Sequence, residues 1–181
     1  LYSGSSLVFE DVEMTANGHS GIETNGGNEN VNVTLKDCTL NVPHGFGIYF
    51  PSSGTLTIDN STIIAETMGV QVCSGVLNIN AGSAITVTGD AVPKTENDGA
   101  IEDGAAISIV NRPGYKGLSN IVITDGKFTA KAGNDAIKAY DWAEKTESTF
   151  TKANLVAVSG GTFSSEVNKD YLADGFVVNN N

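Results

Sequence analysis

The sequence predicts an all-β chain folded as a single parallel β-helix of about six coils, and three observations predict it. A short phrase, apolar–x–apolar–x–(Asp/Asn)–x–x–apolar, recurs six times along the 181 residues. A repeat with a period of about 22 residues is the mark of a stack of like coils. Every copy but the last is followed by a second short apolar strand that opens on Gly or Ala. Gly, Asn and Thr are plentiful and long runs of Ala, Leu, Glu and Lys are missing, a balance that favours strands and tight turns over helices.

The clear copies are Leu7–Met14, Val33–Leu40, Leu56–Ile63 and Ile121–Phe128. Looser copies begin at Leu77 (Leu77, Ile79, Ala81) and at Val156 (Val156, Val158, Gly160, Phe163). Side chains of a strand alternate between its faces. The first and third positions of each copy, such as Leu35, Ile58 and Ile123, are therefore expected inside. Thr34, Lys36, Thr57, Asp59, Asn78, Asn80 and Thr124 are expected in water. The fifth position (Asp11, Asp37, Asn60, Asp125) falls where the chain must bend, since Asn and Asp tolerate left-handed backbone and bond locally; Gly160 fills that place without a Cβ. These acids read as turn formers rather than catalysts. The second strands are Gly21-Ile22-Glu23-Thr24, Gly47-Ile48-Tyr49-Phe50, Gly69-Val70-Gln71-Val72, Ala106-Ile107-Ser108-Ile109 and Ala136-Ile137-Lys138-Ala139.

Successive copies are 26, 23, 21, 44 and 35 residues apart. The long intervals read as loops leaving an intact stack, near 86–105, 111–118 and 140–153. The first is rich in Gly and acids and contains Pro93, which suits an excursion and not a core strand. Residues 164–181 read as a closing segment: a short capped helix or turn from Ser164 to Ala173, a stop at Asp174-Gly175, and a last strand Phe176-Val177-Val178. An uncovered solenoid end would expose apolar side chains and unpaired backbone. One domain thus spans 1–181, and its abrupt ends read as those of a piece of a longer protein.

The stretch Val158-Ser159-Gly160-Gly161-Thr162-Phe163-Ser164-Ser165, with Tyr171-Leu172-Ala173-Asp174-Gly175-Phe176 after it, resembles a phrase of large surface proteins of Gram-positive gut anaerobes. There it closes right-handed β-helices of the pectin-lyase-like type. The resemblance implies a right-handed helix and an extracellular place on a bacterial cell surface or wall. It does not imply an activity, because that family holds lyases, hydrolases, adhesins and stalks.

Charge narrows the partners. With 21 acidic against 10 basic residues, a net charge of −11 and a single Arg, a phosphate-binding surface is disfavoured. No apolar run reaches the length of a membrane span, and an anionic membrane surface is disfavoured. Neither nucleic acid nor membrane insertion is expected, and a monomeric module is. Cys38 and Cys73 lie at different coil positions and read as two small buried thiols rather than a disulfide. No Cys/His spacing has the form of a zinc site.

Pectin-lyase-like lyases use clustered carboxylates for Ca²⁺ and a basic residue that abstracts a proton; the hydrolases converge several Asp on one bond. Neither set is evident here. The outward positions of the second strands are Glu23, Tyr49, Gln71, Ser108 and Lys138, without paired carboxylates. Asp98, Glu102 and Asp103 could together hold Ca²⁺ weakly but read better as a solvated acidic loop. His19 and His44, at similar places in adjacent coils, read as turn packing rather than a metal pair. No cofactor is expected. An ice-binding array fails because the outward Thr34, Thr57 and Thr124 are interrupted by Asn78 and charges.

The expected site lies where the repeat breaks. Loops leave the stack after Ile109 and Ala139, at equivalent points, and carry Arg112, Tyr115, Tyr140 and Trp142, with Tyr49 outward on the same strand row. Aromatic faces stack on sugars or form protein hot spots, and Arg adds hydrogen bonds. The alternative is that these residues only pin their own loops. The expected function is a non-catalytic binding or adhesion module for a host or microbial glycan, or a surface or secreted protein, an immunoglobulin among the candidates. A polysaccharide lyase or hydrolase, or a plain stalk, is the alternative.

Overall fold

The computed structural model describes residues 1–92, 99–142 and 155–179. The chain winds through successive coils of three short strands. Coil one holds β1 (Ser6–Glu10), β2 (Glu13–Thr15) and β3 (Ser20–Glu23); coil two holds β4 (Val31–Lys36), β5 (Thr39–Val42) and β6 (Phe46–Phe50). Coil three holds β7 (Gly54–Asp59), β8 (Thr62–Ala65) and β9 (Met68–Val72); coil four holds β10 (Gly75–Ile79), β11 (Ala84–Val87) and β12 (Ile107–Asn111). Coil five holds β13 (Leu118–Ile123), β14 (Lys127–Thr129) and β15 (Ile137–Asp141), and coil six β16 (Val156–Val158) and β17 (Thr162–Phe163).

Corresponding strands pair in parallel to give three sheets, ordered β1-β4-β7-β10-β13-β16, β2-β5-β8-β11-β14-β17 and β3-β6-β9-β12-β15. This is a parallel β-helix. The long intervals leave the stack intact: Leu77 pairs with Ile121 and Ile121 with Val156, so the extra residues project between strands.

The core follows from the alternation. Val33, Leu35, Leu56, Ile58, Leu77, Ile79, Ile121 and Ile123 are fully buried and stack on one another in register. Each such side chain contributes about 1.5–3 kcal/mol of burial. The eighth position of the phrase fills the second sheet, with Leu40, Ile63 and Phe128 buried there. The copy at Leu77 differs from its expected reading. Its turn, which includes Ala81, is one residue longer, so the inward residue of β11 is Ile85, paired with Ile63 and Phe128, one place after the eighth position of the phrase.

Turn chemistry holds at three of five expected positions: Asp11, Asp37 and Asn60 have φ of 54°, 53° and 42°. Asn60 Nδ2 donates to Asp37 Oδ1 in the coil below, at 2.6 Å. At Asp125 and Gly160 the positive φ has passed to the next residue, Gly126 (137°) and Gly161 (114°). A following glycine takes the left-handed conformation without steric cost, so the acid or first glycine need not. The Gly or Ala that opens each third-sheet strand also has a packing reason. A Cβ on Gly69 would lie 2.4 Å from both the Ala106 carbonyl and Ile85 Cγ2.

The closing segment contains a single 3₁₀ turn, Lys169–Tyr171, with Asn168 as its cap. Ser164 Oγ, Ser165 Oγ and the Tyr171 hydroxyl accept from the amides of Ala130, Ala136 and Ala139 in coil five. These side chains thereby occupy acceptor places that another coil's carbonyls would take. The expected last strand at Phe176-Val177-Val178 does not form; that stretch is irregular and exposed. The reason is local: the chain turns at Asp174-Gly175, with Gly175 at φ 85°, and comes away from the ladder. No helix among the described residues is long and apolar enough to cross a membrane.

Candidate functional site

The outward face of the third sheet is where this solenoid departs from repetition. Elsewhere outward positions are half-buried or exposed; here β6 and β9 are buried at every position. The cover is the excursion between β11 and β12, whose residues 99–105 fold back along β9. A second apolar cluster results, outside the helix, of Phe46, Tyr49, Met68, Cys73, Ala100, Ile101, Val110 and Tyr140, with Tyr115 and Trp142 against it.

Arg112, the first residue after β12, organises one end of this cover. Its Nη1 donates to Tyr49 OH at 3.0 Å and to the Gly99 carbonyl at 2.8 Å. Its guanidinium lies 4.1 Å from the Trp142 ring centroid and 5.0 Å from that of Tyr115. The Tyr49 and Tyr115 hydroxyls are 3.0 Å apart. Tyr115 packs so closely on Gly26 that a Cβ there would fall 2.3 Å from its ring. Lys116 completes the tie through an ion pair with Glu29, at 2.6 Å.

Of the five residues expected to form a site, Tyr49, Arg112, Tyr115 and Trp142 meet directly around the guanidinium. Tyr140 differs from expectation. It belongs to β15, in register with Val110, so the excursion starts later than residue 140. Its hydroxyl donates to Asp103 Oδ2 at 2.8 Å. Most of the third excursion, 143–154, lies outside the described residues. Arg112 and Tyr140 are each 8% exposed and Tyr49 5%, so these three hold the cover in place, while Tyr115 and Trp142 keep half-exposed surface.

The acidic loop also reads differently in three dimensions. Glu102 is buried: its Oε2 accepts from Thr67 at 2.6 Å and its Oε1 lies 2.8 Å from His19 Nε2. Asp103 accepts from Ser108, Tyr140 and the Ala105 amide. Both are anchors of residues 99–105 rather than parts of a solvated loop. A weak Ca²⁺ site would have to compete with those donors, and Asp98 lies outside the described residues. His19 pairs with Glu102 rather than with His44. Sequence reasoning also missed Gln71, whose amide donates to the Ile101 carbonyl and accepts from the Ile101 amide, both at 2.9 Å. Its one detectable signal was a carboxamide on an outward row of otherwise unrelated residues. Among the described residues no three His, Cys, Asp or Glu side chains converge.

Burial sets the acidity of the groups beneath the cover. It raises the Tyr49 phenol well above its ordinary 10.0. Tyr140 rises likewise, through burial first and then the Asp103 carboxylate. The Cys73 thiol is pushed by burial up to about 12, against the pull of Arg112. Each group therefore holds its proton more tightly folded than unfolded. That contribution is fully present below the unfolded value and is lost as pH rises above it. Stability should thus begin to fall near pH 9, where the unfolded thiol ionises, and keep falling through about pH 12 as the unfolded phenols join it, visible as a lower urea midpoint. Tyr49 and Tyr140 should show tyrosinate absorbance only on unfolding. A midpoint unchanged over that range would contradict the placement of all three.

A cleft of about 650 Å³ lies elsewhere, between coil six and the segment 176–179, lined by Phe163, Val167 and Val177 among others. Its lining mixes these apolar side chains with Ser159, Thr162, Ser164, Ser165 and Glu166. No protein-family model, no curated protein and no solved structure matches the chain. The fold alone defines the class, a parallel β-helix module.

Proposed function

We propose that this chain is a non-catalytic binding module of a secreted or wall-anchored bacterial surface protein, built as a right-handed β-helix of the pectin-lyase-like type. It recognises a glycan or a protein at the rim formed by Tyr115 and Trp142. The observation that carries the reading is the clamping of Arg112 between those two rings, at the point where two excursions leave neighbouring strands of one sheet. Such a clamp holds the Tyr115 and Trp142 rings before any ligand arrives, so little ordering entropy is lost on binding. Half-exposed aromatic side chains on a rigid support are the usual anchors of recognition.

A structural stalk is the second reading, and one observation favours it: every hydrogen bond of Arg112 named above is internal. The enzymatic reading has less support, because Glu102 and Asp103 spend their oxygens on Thr67, Ser108 and Tyr140. Glycan arrays and pull-downs against secreted proteins, run with the wild type and with Trp142→Ala, test the proposal. Binding that Trp142→Ala weakens by about 2 kcal/mol is expected. Empty screens with a Trp142→Ala variant altered only in stability would leave the stalk.

A further inference from the structure

The sequence holds two Asn-Gly pairs, Asn17-Gly18 and Asn25-Gly26, and the fold treats them in opposite ways. Asparagine is a thermolabile residue, and a glycine after it offers its amide nitrogen with no Cβ in the way of attack on the side-chain amide. Closing a ring between the two swings the asparagine's main-chain carbonyl. The reaction therefore needs a chain that is free to turn at that point.

Asn25 lacks that freedom. Its carbonyl accepts from the Asn28 amide and from Ser52 Oγ, both at 2.9 Å. Its Oδ1 accepts from the Gly27 amide at 2.8 Å, and the Tyr115 ring lies against Gly26. Asn17 is unrestrained. It and Gly18 are exposed, in the irregular link between β2 and β3. Among the described residues neither has a hydrogen-bond partner, and a Cβ on Gly18 would meet nothing within 4 Å. The link is nevertheless anchored at both ends. The Ala16 amide donates to the Asn41 carbonyl at 2.9 Å, and the Phe46 amide to the His19 carbonyl at 3.1 Å.

We propose that Asn17 is a site of spontaneous deamidation and isoaspartate formation, and that the fold protects Asn25 from the same reaction. The Gly18 amide nitrogen loses its proton to hydroxide and attacks the Asn17 side-chain carbonyl carbon. A C–N bond forms there, the bond to the side-chain nitrogen breaks, and ammonia leaves with a proton taken from water. Water then opens the cyclic imide at one of its two carbonyls, giving aspartate or isoaspartate. Either product adds a negative charge. Isoaspartate also routes the main chain through the side-chain methylene, adding one atom between the two anchors, beside the first pair of β3, Ser20 with Phe46. The site owes nothing to the Tyr115–Trp142 rim reading and stands or falls without it.

The test ages the full chain in mildly alkaline buffer and follows both sites by mass spectrometry. Cleavage after glutamate separates them into residues 14–23 and 24–29. Asn17 should convert faster than Asn25 by about tenfold or more, a factor set by the hydrogen bonds that Asn25 must break. In urea the two rates should converge. Gly18→Ala, which the open surroundings accept, should slow Asn17, and Ser52→Ala should speed Asn25. Hydrogen exchange at the Phe46 amide should quicken in the aged chain but not in Asn17→Asp, which adds the charge without the extra atom. Equal rates at the two sites in the folded chain would overturn the proposal. So would an Asn17 rate unmoved by Gly18→Ala, or a product holding aspartate and no isoaspartate.

Discussion

Gly54→Ala is expected to destabilise the protein by about 4 kcal/mol, the sum of overpacking and backbone strain at about 1–3 kcal/mol each. Gly54 opens β7 at φ 119°, a conformation that L residues rarely adopt. A Cβ there would lie 2.0 Å from the Val31 carbonyl oxygen and 2.6 Å from its amide nitrogen. Both are main-chain atoms of the coil below, locked in the ladder by the pairing of Val31 with Gly54, so neither can withdraw. Gly114→Ala is the matched control: φ is 86° but nothing lies within 4 Å of the added carbon. It should cost about 1 kcal/mol, from strain alone. Urea midpoints of the two variants check the contrast. Similar values would mean that backbone conformation, and not the close approach of coils, governs both positions.

Arg112→Ala should cost about 3 kcal/mol, and the loss should be local. The substitution removes two hydrogen bonds from a charged donor and two cation–ring contacts, while leaving the solenoid ladder intact. Hydrogen exchange would therefore quicken at Ile101 and Tyr115 and stay slow at Leu35 and Leu56. Trp142 fluorescence should shift as its ring loses the guanidinium. Arg112→Lys should not restore the wild type, because a compact ammonium group lacks the planar guanidinium whose carbon lies over the Trp142 and Tyr115 rings while its Nη1 donates to Tyr49 and Gly99. A uniform gain in exchange over all coils would instead make Arg112 part of the global core.

The same contrast between repeat and excursion explains which features could be read from the chain alone. The alternation of Val33, Leu35, Leu56 and Ile58 with Thr34 and Thr57 encodes the coil, because side-chain direction in a strand depends only on parity. The turns at Asp11, Asp37 and Asn60 were legible for a related reason: positive φ is a property of single residues. The mistakes arose where a neighbour could substitute. Gly126 relieved Asp125, Gly161 relieved Gly160, and one added residue in the turn put Ile85 one place beyond the phrase's eighth position. Tyr140 was misplaced because a strand's end depends on how far its partner, here β12 through Val110 and Asn111, continues beside it.

By itself, then, the sequence determined the architecture: the stack of parallel coils and the inward residues of most of its strands. These depend on contacts between equivalent positions one coil apart, which repetition makes visible. Only the tertiary structure decided what the loops do. Gln71 meets Ile101, Arg112 meets Tyr49 and His19 meets Glu102 across 30, 63 and 83 residues of chain. No period relates those residues. Their pairing follows from one excursion lying down over a sheet to bury Ala100 and Ile101, and a burial choice of that kind depends on the whole surface on offer rather than on any local pattern.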